Sequence, residues 1–135
     1  MTLPFSGRKI MLAISSRSPH AKPLIDAAAH LAKQLQAEWF VVHVTPPAAR
    51  GFWKPRRENP VPASDLDYAR TLGARVIIEP GRGSVAGTLV NFARTMEITH
   101  LVTGRSVRPR FSFFWRLPLV EHIQRKLPQT IVLII

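Results

Sequence analysis

Ser15, Ser16 and Ser18, with Arg17 among them, place three hydroxyls and a guanidinium directly behind the apolar run Ile10–Ile14 and just ahead of Pro19. A proline behind Ser18 marks the first turn of a helix, and a helix start leaves backbone N–H groups free to face an anion. The same serines serve equally well as an ordinary N-cap and turn. Gly104-Arg105-Ser106 offers a second set, again behind an apolar run: a residue without a side chain for close approach, a guanidinium fork and a hydroxyl. Arg105 and the following Arg108 read alternatively as solvated surface charges. His43, alone near the end of Trp39–Val44, is either a structural histidine or a ligand contact.

Other chemistries fail on spacing. The five histidines, His20, His30, His43, His100 and His122, show no paired metal-ligand interval, and there is no cysteine. Gly81-Arg82-Gly83-Ser84 suggests a phosphate-cradling turn but lacks the P-loop pattern, and reads as a turn and cap. Gly104-Arg105-Ser106-Val107-Arg108 ends on an arginine where a nucleophile elbow needs glycine. The chain is therefore expected to bind rather than catalyse, with no required cofactor and no metal.

Short apolar runs alternating with helix-period segments must position these groups. Ile10–Ile14 reads as a strand buried on both faces, followed by a helix with Leu24, Ala28, Leu31 and Leu35 on one side. Trp39–Val44 is the second strand. Residues 45–63, with five prolines, form an excursion loop. Ser64, with Asp67 three residues on, caps a short helix carrying Leu66, Ala69 and Leu72, which Gly73 stops. Arg75–Glu79 is the third strand. Ser84 caps a helix with Val85, Leu89, Phe92 and Met96 on one face, and Leu101–Thr103 is the fourth strand. Pro118 opens a last helix with Leu119, Ile123 and Leu127 inward, Pro128 ends it, and Ile131–Ile135 closes the chain. The order predicts a single-domain α/β fold over residues 1–135, with a doubly wound, five-stranded parallel sheet. Ligands in such sheets bind where the strand order reverses, and if it reverses between the first and fourth strands the turns after Ile14 and Thr103 line one crevice.

Composition sets the partner's sign. Nineteen Lys and Arg against eight Asp and Glu give a net charge of +11, which favours anions. No stretch approaches the ~18 apolar residues of a membrane span, and the first eight residues hold no signal-peptide block. A soluble, cytoplasmic setting is expected. Two irregular segments are basic and aromatic. Residues 45–63 carry Arg50, Lys54, Arg56 and Arg57 with Phe52 and Trp53, and residues 105–116 carry Arg105, Arg108, Arg110 and Arg116 with Phe111, Phe113, Phe114 and Trp115. Aromatics among cations suit stacking on bases, contact with an anionic lipid surface or docking on an acidic protein, and equally a lid folded over the sheet edge.

Ile10-Met11-Leu12-Ala13-Ile14-Ser15-Ser16, the stretch Leu31–Trp39, Leu72-Gly73-Ala74-Arg75-Val76 and Leu101-Val102-Thr103-Gly104-Arg105-Ser106, in this order and spacing, resemble the universal stress protein family. Within it the chain is most similar to the domain of that type in the sensor histidine kinase KdpD. The resemblance covers nearly the whole chain and implies a five-stranded parallel sheet, frequent dimers, and an adenine nucleotide between the first and fourth strands in some members. The ATP-binding members resemble one another in Gly-x-x-Gly, nine residues, then Gly-Ser or Gly-Thr. Here Gly104 keeps the first position, Val107 takes the second, Leu117-Pro118 replaces the final pair, and Ser15 stands at the family's acidic position. A cyclic di-AMP pattern in the kinase branch, Ser-x-Ser, twenty residues, then Phe-Thr-Ala-x-Tyr, is similar to Ser16-Arg17-Ser18, twenty residues, then Trp39-Phe40-Val41-Val42-His43. The serines and spacing match, while Trp39, Phe40, Val41 and His43 differ.

The resulting expectation is a signalling domain holding ATP, AMP or cyclic di-AMP through Ser15, Ser16, Ser18, His43, Gly104, Arg105, Ser106 and Arg108, with a sensor kinase or a second copy as protein partner. The alternative is an interaction module whose basic aromatic rim docks on an acidic protein or anionic lipid. No recognition-helix or ribonucleoprotein signature points to nucleic acid.

Overall fold

Lys9–Ile14 (β1) is apolar on both sides of its pleat, which suits it to the middle of a sheet covered on both faces, and there it lies. A computed structural model describes residues 7–14, 21–45, 63–80, 85–104 and 120–135. After β1 come α1 (Ala21–Leu35), β2 (Glu38–Thr45), α2 (Ala63–Thr71), β3 (Arg75–Pro80), α3 (Val85–Thr95) and β4 (His100–Thr103). A helical segment at 120–126 (α4) and β5 (Ile131–Ile134) complete the chain. The strands form one parallel sheet in the order β3-β2-β1-β4-β5. The five-stranded, doubly wound α/β fold expected from the alternation is the observed one.

Alternate residues of each strand feed two separate cores. Ile10, Leu12, Ile14, Trp39, Val41 and Val102 pack with α1 and α2 through Leu24, Ile25, Ala28, Ala32, Leu66 and Ala69. Met11, Phe40, Val42, Val44 and Leu101 pack with α3 through Leu89, Val90 and Ala93, with α4 through Ile123, and with Leu127 just beyond it. Phe40 meets Phe92 edge-on, with ring centroids 5.7 Å apart. Each fully buried aliphatic side chain contributes about 1.5–3 kcal/mol, so these two layers dominate the stability.

The first three helices, α1, α2 and α3, enter their strands through one shared ending. After α1, Ala37 N–H donates to Ala32 O at 2.9 Å and Gln36 N–H to Lys33 O at 3.3 Å. Ala74 and Gly73 repeat the pair on Ala69 and Arg70, and Ile98 and Glu97 on Ala93 and Arg94. This is the Schellman motif, which places its pivot residue at positive φ: 51° at Gln36, 95° at Gly73 and 56° at Glu97. The residue after each pivot, Ala37, Ala74 or Ile98, is a buried apolar contact.

Two expectations around α2 need correction. The helix starts at Ala63, so Ser64 lies in its first turn rather than capping it. Leu72 lies beyond the last helical residue and is 39% exposed, because the turn at Gly73 swings Ala74 into the apolar slot instead. The Ser18 and Ser84 caps, Pro118 and Leu119, the turn at 81–83, and nearly all of the two basic aromatic segments fall outside the described residues.

Candidate functional site

β1 and β4 are adjacent and parallel, in register from Ile10 opposite His100 to Ala13 opposite Thr103. They leave the sheet in opposite senses: the chain after β1 reaches α1 on one face, whereas the helix that follows β4 lies on the other. Diverging exits from neighbouring strands leave a crevice at their carboxyl ends, and this is the reversal point of the sheet. Ile14 and Gly104 are therefore brought together at one edge. Ser15, Ser16, Ser18, Arg105, Ser106 and Arg108 follow those two residues in sequence and lie outside the described residues.

Gly104 is buried, and the reason for its glycine is visible. A Cβ there would lie 2.6 Å from Leu24 Cδ1 and 2.9 Å from Leu24 Cδ2. The close approach that Gly104 permits is by the side chain of Leu24 in the first turn of α1. This couples the exit of β4 to the start of α1, a contact across 80 residues of sequence that a helix-face pattern for Leu24 did not reveal.

His43 stands opposite Ile14 at the last rung between β1 and β2. It is 4% exposed, and its Nδ1 lies 3.0 Å from Ile14 O. A carbonyl only accepts, so Nδ1 carries the hydrogen and donates it. The histidine is thus tied into the β1 end of the crevice.

A second cluster joins α1 to α2 on the same face. The Tyr68 hydroxyl donates to Asp26 Oδ1, and Lys22 Nζ sits 4.8 Å from the centre of the Tyr68 ring. The Asp26 hydrogen bond, then burial and the Asp26 charge, push the Tyr68 phenol above its ordinary value. Sequence spacing gave no sign of this cluster, since Asp26 and Tyr68 are 42 residues apart.

The opposite edge is structural. Thr99 Oγ1 accepts from Lys9 N–H at 3.0 Å and lies 2.8 Å from His100 Nδ1, while Thr99 O accepts from Ile131 N–H at 3.0 Å. Burial, then the nearby Arg8 charge, lowers the pKa of His100. Among the described residues no three His, Cys, Asp or Glu side chains gather as a metal site, and no helix is long and apolar enough to cross a membrane.

These features define the class: a doubly wound α/β domain with a crevice at the carboxyl ends of its first and fourth strands. The universal stress protein family model matches residues 7–134, and the chain belongs to that family. Solved structures share the fold. A family member from Burkholderia pseudomallei is 21% identical, with 94% of each chain covered and a TM-score of 0.63. A universal stress protein in complex with cAMP is 18% identical over 95% of this chain and 96% of its own, at a TM-score of 0.64. One from Archaeoglobus fulgidus in complex with dAMP is 20% identical over 94% and 96%, at 0.57. No curated protein matches the chain in sequence.

Proposed function

We propose that this domain binds an adenine-nucleotide-type anion in the β1–β4 crevice and acts in signalling by binding rather than by turnover. The observation that carries the reading is the reversal of strand order at β1 and β4, which brings the Ile14 and Gly104 exits to one edge. Relatives of the same fold crystallised with cAMP and with dAMP support a nucleotide as the ligand class. Ser15, Ser16, Ser18, Arg105, Ser106 and Arg108 follow those exits and supply hydroxyls and guanidinium groups suited to phosphate oxygens.

Within that class, the Ser16-Arg17-Ser18 motif and its twenty-residue spacing to Trp39 favour the KdpD-like branch, with AMP or cyclic di-AMP ahead of ATP. Val107 and Leu117-Pro118 replace the glycines that would wrap a triphosphate, which argues in the same direction. A kinase partner in the cytoplasm follows from that branch. Pairing with a second copy is supported by β5, an edge strand with Ile131 and Ile134 about half exposed and no charge along it.

Calorimetry with AMP, ATP and cyclic di-AMP tests the reading. Binding that is lost in Arg105→Ala and Ser16→Ala supports it. The second reading, a basic aromatic rim docking on anionic lipid or an acidic protein, is favoured by both basic segments following β2 and β4 in sequence, strands whose carboxyl ends lie at the crevice side of the sheet. It predicts no nucleotide heat, and salt-sensitive adsorption to anionic vesicles that is lost when Phe113, Phe114 and Trp115 are changed.

A further inference from the structure

We infer that the amino edge of the sheet, the side away from the crevice, is a docking face for an anionic lipid surface. In a parallel sheet every strand starts on that edge, and a helix returning from the carboxyl side ends there. The Schellman endings set the last turns of α1, α2 and α3 within a few residues of the starts of β2, β3 and β4. Arg94 Nη2 donates to Lys126 O at 3.1 Å, which holds the end of α3 against the end of α4. Helix ends from both faces and the strand starts between them therefore share one surface. Among the described residues, charge is sorted toward it. Arg8 and Lys9 stand at the start of β1, and Arg75 opens β3. Lys33, Arg70 and Arg94 occupy the last turns of α1, α2 and α3, and Arg125 and Lys126 end α4. Against these eight cations the same edge carries three acids, Glu38, Asp67 and Glu97, of which Glu38 pairs with Arg75 and Asp67 with Arg70. The other described charges, toward the carboxyl side, have the opposite balance: Lys22 against Asp26, Asp65, Glu79 and Glu121.

A cation in a last helical turn complements the helix dipole, which accounts for the helix residues. It does not account for Arg8, Lys9 and Arg75, because strands carry little net dipole. All eight cations except the half-buried Lys9 are exposed, and the exposed Leu72 follows Arg70 at the same end of α2. The shape of the field selects the partner. Neighbouring strands lie about 4.8 Å apart, so five strand starts extend over about 19 Å, with helix ends on either side. Cations spread in two dimensions match a plane of lipid phosphates, whereas a nucleic-acid duplex or an acidic peptide engages a stripe. Electrostatic attraction with a little exposed aliphatic surface is the combination that holds a domain on an anionic bilayer. Docked this way, the β1–β4 crevice faces away from the membrane, so contact with lipid and entry of a ligand do not compete.

The inference does not depend on the nucleotide reading. Sedimentation of the full chain with vesicles of equimolar phosphatidylcholine and phosphatidylglycerol tests it, against vesicles of phosphatidylcholine alone. Each Lys or Arg at an anionic surface is worth about fivefold in partitioning. Changing Lys33→Gln, Arg125→Gln and Lys126→Gln together should weaken adsorption about a hundredfold. Changing Arg105→Gln, Arg108→Gln and Arg110→Gln together removes the same charge from the segment after β4 and should weaken it far less. Orientation is read separately, with every cation in place. The chain has no cysteine, so a polarity-sensitive dye can be attached at Gln129→Cys, in the turn before β5, or at Glu121→Cys, in the first turn of α4. Anionic vesicles should shift the emission of the first to the blue and leave the second unchanged. No adsorption, equal losses in the two triple variants, or a shift at Glu121→Cys alone overturns the inference. Binding of single-stranded RNA or polyglutamate through this edge, without adsorption to vesicles, would overturn the lipid in favour of a nucleic-acid or protein partner.

Discussion

Single residues at the two ends of the sheet do different work. At the crevice end, Gly104 and Leu24 are mutually required. Gly104→Ala forces a buried leucine out of its place and is expected to cost about 1–3 kcal/mol in denaturant unfolding. The three atoms nearest the new Cβ all belong to the end of Leu24, from Cγ outward. Combining Gly104→Ala with Leu24→Ala should therefore cost less than the sum of the two changes, by about 1 kcal/mol. Strict additivity would mean that the contact is unimportant. At the other end, His100 is held below its ordinary pKa of 6.5 by burial and Arg8. The unfolded chain then binds this proton more readily than the folded one. Stability should fall as pH drops through about 6.5 toward the lowered folded value, and be fully present above it. His100→Gln is expected to flatten the fall, as read from urea midpoints across that range; an unchanged slope would assign it to other groups.

At the scale of the element, the ends of the helices were less legible than their faces. The apolar spacing of Leu24 and Ala28 in α1, Leu66 and Ala69 in α2, and Leu89 in α3 was readable, because burial imposes a helical period. Gly73 announced its own positive φ. Gln36 and Glu97 did not, since a left-handed pivot filled by a polar residue leaves no mark in composition. The three endings are nonetheless one device, turning each helix into the next strand within a few residues. Placing glycine at the two unannounced pivots relieves a left-handed strain of about 1–2 kcal/mol and loses part of it to the freer unfolded chain. Gln36→Gly and Glu97→Gly should each raise stability by about 0.5–1 kcal/mol in thermal or urea unfolding. A loss of stability in either would mean that its side chain makes a compensating contact.

For the molecule as a whole, the fold could be read from alternation alone because each strand needs apolar residues on both faces and each helix on only one. Alternation does not fix where the strand order reverses; the resemblance to the family pointed to the first and fourth strands, and the observed order places Ile14 beside the exit of β4. Side-chain partnerships across long separations, such as Tyr68 with Asp26, Leu24 with Gly104 and Thr99 with Lys9, were invisible to sequence. They depend on register and on helix placement, which local patterns do not encode. The most direct test of the crevice is an amide chemical-shift titration with AMP. Ile14 and Gly104 should move together and saturate at one concentration, while Lys9 and Thr99 at the far edge stay still. Shifts confined to the far edge, or none at any concentration, would contradict a nucleotide site between the first and fourth strands.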